Sequence, residues 1–268
     1  PRDAAIVSQL RTSGAIILGT TNVPYMLGDY QTSGELYPTA SNPYDTSRTP
    51  GGSTGGGAAA VASGFSTIEL GSDMGGSLSV PAAFCGLFAL KATFGALNVT
   101  DGTSPDPALN YNRLSLVSPG LLARTPADLE VMWNVLRDTP IDERFQRRMS
   151  WKPPSDRSLA QYRVAWVDEW AHDGGPAPVS RDVKEKLAVL VSELERRGVM
   201  LEHGAPATYD DMVRVFLRAY ASMMNEGQPW LMRQFIKLDM RKMDDGSSNF
   251  QAFNAAVAGF LARLGSQA

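Results

Sequence analysis

Two turns of glycine and serine limit what this chain can fold into. The first, Gly51-Gly52-Ser53-Thr54-Gly55-Gly56-Gly57, runs without a break into Ala58-Ala59-Ala60-Val61-Ala62. Small, good helix formers directly after glycines make a helix that can pack very close to its neighbours. Thr67-Ile68-Glu69-Leu70 then reads as a strand. The second turn, Gly71-Ser72-Asp73-Met74-Gly75-Gly76-Ser77, follows at once. Two phosphate-binding readings of these glycines fail. A Walker loop needs a lysine after its last glycine, and Gly57 is followed by alanines. A dinucleotide loop opens from a strand, whereas the polar run Tyr30 to Pro50 precedes Gly51.

Acyl transfer suits the turns better. Glycines let successive N–H groups turn toward one point, and Met74 to Ser77 would form an anion-binding nest beside a serine hydroxyl. That is a nucleophile next to donors for a tetrahedral oxyanion. The chain has two histidines, His172 and His203, neither near a serine–glycine turn in sequence. A Ser-His-Asp triad therefore has no support at this level, although folding could bring a histidine close.

The surrounding chain alternates helix and strand, the pattern of an α/β protein. Ala4, Ala5, Ile6 and Leu10 give a first helix an apolar face, with Gly14 as its stop, and Ala15 to Leu18 reads as a short buried strand. Asn98 to Pro107 is loop chemistry. Thr125-Pro126-Ala127-Asp128 starts a helix running to about Arg137, with proline just inside the cap. Tyr162 to Val167 is a strand. Val183, Leu187, Leu190, Val191 and Leu194 then line one helix face. Gly198 stops that helix, Val199 to Leu201 restarts a strand, and the tail from Tyr209 has a helical pattern.

Composition narrows the class of function. The 268 residues are 43% hydrophobic, enough for a sizeable core, and carry a net charge of -3 without a basic block. Direct nucleic-acid binding is not expected. Cys85 is the single cysteine, which excludes a disulfide framework and a multi-cysteine metal site. No apolar run approaches the roughly 18 residues that span a bilayer, and no signal-peptide pattern opens the chain. No membrane association is expected, and the cytoplasm is the default compartment.

Residues 51–95 carry a longer pattern. G-G-S-T-G-G-G-A-A-A-V-A-S-G is followed by G-S-D-M-G-G-S-L-S-V-P-A-A-F-C-G-L-F-A-L-K-A-T-F-G. This segment resembles the signature of the amidase signature family, the Ser-Ser-Lys amidohydrolases. Gly14 to Asn22 resembles the family's strand before the signature. Pro119-Gly120 through Arg124-Thr125 and Asp128 resembles the segment after it. The likeness covers most of residues 1–220 and is specific in the signature itself.

The resemblance implies an α/β fold with a mixed central β-sheet flanked by helices, truncated at both ends. Residues 1–137 would be the signature core with the serines, 138–161 a linker or insertion, and 162–268 a second α/β part of the same domain, incomplete at its C-terminus. It implies that Ser77 is the nucleophile and Ser53 the bridging serine, with a cis peptide bond at Gly52–Ser53. Met74, Gly75, Gly76 and Ser77 would supply oxyanion donors. Thr54 and Asp73 would support the site or bind substrate, and Tyr25 and Met26 would lie near the acyl pocket. Ser53 also suits a helix cap, Asp73 a purely structural role, and Tyr25 and Met26 ordinary core packing. Cys85, between Phe84 and Gly86, reads as a buried inert thiol, and the two histidines as surface or loop residues.

The triad's lysine falls upstream of Pro1 by the resemblance, and Lys91 matches the signature's own lysine rather than the base. This stretch by itself is thus expected to be nearly inactive. The family usually has arginine where this chain has Ser79, and that arginine commonly pairs with the aspartate at position 73, so Asp73 is expected to lack its usual partner. Ala92 and Thr20 are further departures. The implied activity is hydrolysis of a small-molecule carboxylic amide through an acyl-serine, with no metal and no organic cofactor. A homodimer stays open. The alternatives are a glutaminase subunit of a tRNA amidotransferase and a non-catalytic binding protein on the same scaffold.

Overall fold

Strand β3, Ser118–Ala123, is buried at every position and separates two cores. Successive strand side chains point to opposite faces. Leu121 and Ala123 therefore enter one core with Ile6, Leu10, Leu129 and Leu136. Leu122 enters the other, with Ala58, Leu78, Ala82 and Cys85. Strands β1, Ile68–Asp73, and β2, Phe88–Lys91, pair antiparallel with β3 on either side, in the order β1-β3-β2. Helices α1, Ala5–Thr12, and α4, Pro126–Leu136, supply the first core. Helices α2, Gly55–Ala62, and α3, Ser79–Phe84, supply the second. Helices thus cover both faces of the sheet.

This computed structural model describes residues 3–34, 36–97, 116–137, 157–168, 170–172, 175–177, 179–204, 215–216 and 218–219. The chain divides into two compact units, Pro1–Met149 with Ala258–Ala268, and Ser150–Val257. In the second unit β4, Arg163–Trp166, pairs parallel with β7, Met200–His203. Between them in sequence lie the antiparallel pair β5, Trp170–His172, and β6, Gly175–Ala177, and helix α5, Arg181–Arg196. Each described sheet is of one kind, antiparallel for β1-β3-β2 and β5-β6 and parallel for β4-β7, and with the helices they make a mixed α/β structure. Among the described residues no helix is long and apolar enough to cross a membrane.

Local signals place most of these elements. Thr125 caps α4 by accepting the Asp128 N–H, with Pro126 in the first turn. Ser180 does the same for α5 through the Val183 N–H. The strand expected over Ala15 to Leu18 does not form. Ala15 and Ile17 pack on the first core, while Ile16 is 85% and Leu18 74% exposed. The run keeps a strand's alternation but joins no ladder among the described residues, because alternation sets which side chains are buried and a ladder needs a free neighbouring edge. The Asn98–Pro107 loop and most of the 138–161 linker lie outside the described residues. So does the tail from Tyr209, except at 215–216 and 218–219, which are helical.

Candidate active site

Strand β1 builds the site from one of its faces. Ile68 and Leu70 turn to the first core, so Glu69, Gly71 and Asp73 face α2 and α3. Gly71 admits close packing, since a Cβ there would sit 2.7 Å from Thr54 Oγ1 and 2.9 Å from Leu78 Cδ2. Asp73, 4% exposed, ends the strand and gathers the turn that follows. Its Oδ1 accepts the Gly76 N–H at 2.9 Å. Its Oδ2 accepts the N–H groups of Leu78 at 2.9 Å and Ser79 at 3.2 Å, and the Ser79 hydroxyl at 3.4 Å. Asp73 is held by backbone amides and the Ser79 hydroxyl, with no ion pair among the described residues.

The carbonyls of the same turn are also engaged. Gly76 O accepts from Val80 N at 2.8 Å, opening α3, and Ser77 O accepts from Thr54 N at 3.2 Å. Gly75 O accepts from the Tyr30 hydroxyl. Gly76 has φ +119, a conformation that side chains disfavour. Of the four amides expected to face an oxyanion, that of Gly76 is committed to Asp73. Those of Met74, Gly75 and Ser77 have no acceptor among the described residues.

The first turn lies against the second through the Thr54–Ser77 hydrogen bond. The Gly52–Ser53 peptide is cis. Ser53 is 3% exposed and does not cap α2, whose N-cap is Thr54 without a side-chain bond. Thr32 Oγ1 donates to the Gly51 carbonyl at 2.8 Å. The hydroxyls of Ser53 and Ser77 have no hydrogen-bond partner among the described residues, so no direct bond joins them. The Thr20-Thr21-Asn22 segment docks beside the same helix start. Gly56 N–H donates to Asn22 O at 3.2 Å, and Thr21 Oγ1 donates to Glu69 at 2.8 Å. Burial pushes the Glu69 carboxyl above its ordinary value.

The remaining sequence candidates fall out as follows. Tyr25 sits on a 3-10 turn, Tyr25–Leu27, and is 58% exposed, so it is not core. The side chains of Met26 and His172 lie outside the described residues. Lys91 is exposed on β2. His203 is exposed on β7 in the second unit, where Nε2 meets Asp168 Oδ1 at 2.8 Å and the ring tilts against Trp166. Tyr30 was missed, because nothing local marks it within the polar run before Pro50. Burial, then the Asp73 charge, raise its pKa.

Cys85 is fully buried, its Sγ 3.5 Å from the Pro50 carbonyl, and burial pushes its pKa to about 11. The thiolate is the nucleophile, so little reactive form exists near neutrality. Iodoacetamide at pH 8 is expected to leave the native protein unmodified and to add one group after denaturation, read by intact mass. Fast alkylation of the native protein would contradict the buried position.

Comparison with known proteins places this geometry. A family model described as Amidase matches residues 1–260. A glutamyl-tRNA(Gln) amidotransferase subunit from Alkaliphilus metalliredigens is 34% identical over 206 residues, covering 75% of this chain and 40% of the relative. A fatty acid amide hydrolase structure superposes with TM-score 0.69 at 24% identity, covering 82% of this chain and 38% of that one. The corresponding amidotransferase subunit from Thermotoga maritima gives 0.65 at 23%, covering 95% and 55%. At these identities the structures speak for the fold. The chain spans about two fifths of the length of the curated relatives it matches.

Proposed function

Since the chain belongs to the amidase family, we propose that it carries the serine half of an amide-hydrolysing site, with Ser77 as nucleophile. One arrangement supports this above the others. The Thr54–Ser77 hydrogen bond sets the two serine turns side by side, and the Gly75 and Ser77 amides there are unclaimed. Ser77 Oγ adds to the amide carbonyl carbon, and its proton passes through Ser53 to a base. The C–N bond then breaks, the nitrogen leaving protonated, and water releases the acid from the acyl-serine. Unclaimed amides aimed at the developing oxyanion are each worth about 10²- to 10³-fold in rate. By resemblance the base is a lysine outside residues 1–268. Thr54 packs over Gly71, and Asp73 shapes the turn. Tyr25 and Met26 are proposed at the acyl pocket. The substrate is a small-molecule amide met in the cytoplasm.

A second reading rests on the relatives named as glutamyl-tRNA(Gln) amidotransferase subunits. In it the same serine cleaves glutamine within a multi-subunit complex, and glutamine turnover rises when the partner proteins are added. Both readings are tested by a fluorophosphonate probe on the full-length protein. The expected adduct maps to the peptide holding Ser77. A well-folded protein that takes no label would favour a binding protein on this scaffold instead.

A further inference from the structure

One short strap, residues 29–32, reaches both serine turns. At one end Thr32 Oγ1 donates to the carbonyl of Gly51 at 2.8 Å. In the middle, Tyr30 O accepts from Thr49 Oγ1 at 3.4 Å, and Gly52 lies so near that a Cβ there would stand 2.5 Å from Asp29 O. At the other end the Tyr30 hydroxyl donates to Gly75 O. Its ring also lies over Gly76, where a Cβ would be 3.6 Å from Tyr30 Cε1.

The Gly75–Gly76 peptide is therefore held from both sides. Tyr30 takes its carbonyl oxygen, and Asp73 Oδ1 takes its N–H. Turning this peptide would break both bonds. Two of the unclaimed amides, of Gly75 and Ser77, belong to the peptides on either side of it, so their directions follow from its plane. Two glycines in a row would otherwise leave that plane loosely determined. Donors that are already aimed need no reorganisation when charge develops.

We propose that Tyr30 is a positioning residue for acyl transfer at Ser77, fixing the Gly75–Gly76 peptide so that the flanking amides point at the oxyanion. This rests on the reading of Ser77 as nucleophile. Tyr30 does not touch the reacting atoms, and Asp73 alone holds only one edge of the peptide.

Tyr30→Phe keeps the ring over Gly76 and removes only the hydrogen bond. In the full-length protein, kcat for amide hydrolysis and the labelling rate at Ser77 are expected to fall about 10- to 100-fold. KM and Tm stay unchanged, and amide hydrogen exchange over residues 74–78 quickens. A tyrosine that merely stabilised the fold would lower Tm without this split between kcat and KM. An active wild type with an equally active Tyr30→Phe variant overturns the role of Tyr30 and leaves the nucleophile standing. A folded wild type inert to both amide and probe overturns the nucleophile, and the role of Tyr30 with it.

Discussion

Ser77→Ala is expected to lower amide turnover by the full-length protein by about 10⁴- to 10⁶-fold, the range seen when a hydrolase loses its nucleophile. It is also expected to leave the fold stable to within about 0.5 kcal/mol. The two halves rest on different atoms of one residue. The fold uses the Ser77 main chain, whose carbonyl accepts from Thr54. The hydroxyl has no hydrogen-bond partner among the described residues, and the side chain is half-buried, so deleting it breaks no internal bond. Turnover and thermal melts on the same preparation give both numbers. Turnover within tenfold of wild type would move the nucleophile elsewhere. A large fall in Tm would mean that the hydroxyl holds structure rather than chemistry.

What the sequence disclosed follows the range of the forces involved. Helices α4 and α5 were legible because caps and apolar spacing lie within a few residues of each other. β1, α2 and both serine turns were legible because glycines punctuate them. The family followed from the signature. Three features lay beyond reach. Ala15 to Leu18 has strand alternation, but its burial is one-sided and pairing depends on a distant edge. The commitment of the Gly76 amide to Asp73 could not be separated from that of its neighbours, since four adjacent N–H groups look alike until a carboxylate approaches. Tyr30 meets Gly75 across 45 positions, and Thr32 meets Gly51 across 19. Both contacts arise only once the polar run before Pro50 has folded back over the turns. That backbone amides gather on Asp73 lay beyond reach for the same reason, because main-chain donors carry no mark in the sequence.

Gly120→Ala tests the packing beneath the site, with an outcome opposite to that at Ser77. Glycine at 120 lies in the middle of β3, opposite Lys91 of β2. An added Cβ would stand 2.1 Å from the Leu90 carbonyl oxygen and 2.6 Å from Leu78 Cδ1. The first neighbour is main chain and cannot swing aside, so one methyl group must push β2 off β3 or distort both. The second is a fully buried side chain next to the proposed nucleophile, and its own N–H is tied to Asp73. The expected cost is about 3 kcal/mol, the upper range for overpacking a tight core. In a chain of this size that lowers Tm by about 10 °C. Gly34→Ala is the control, since its Cβ would meet only Val23 O at 3.6 Å, an ordinary contact. It should melt within about 0.5 kcal/mol of wild type. Equal melting of the two variants would mean that β2 can drift from β3 at little cost. The β1-β3-β2 sheet would then be too compliant to hold two serine turns in register, and the stiffness the chemistry needs would have to come from the Asp73 and Tyr30 hydrogen bonds alone.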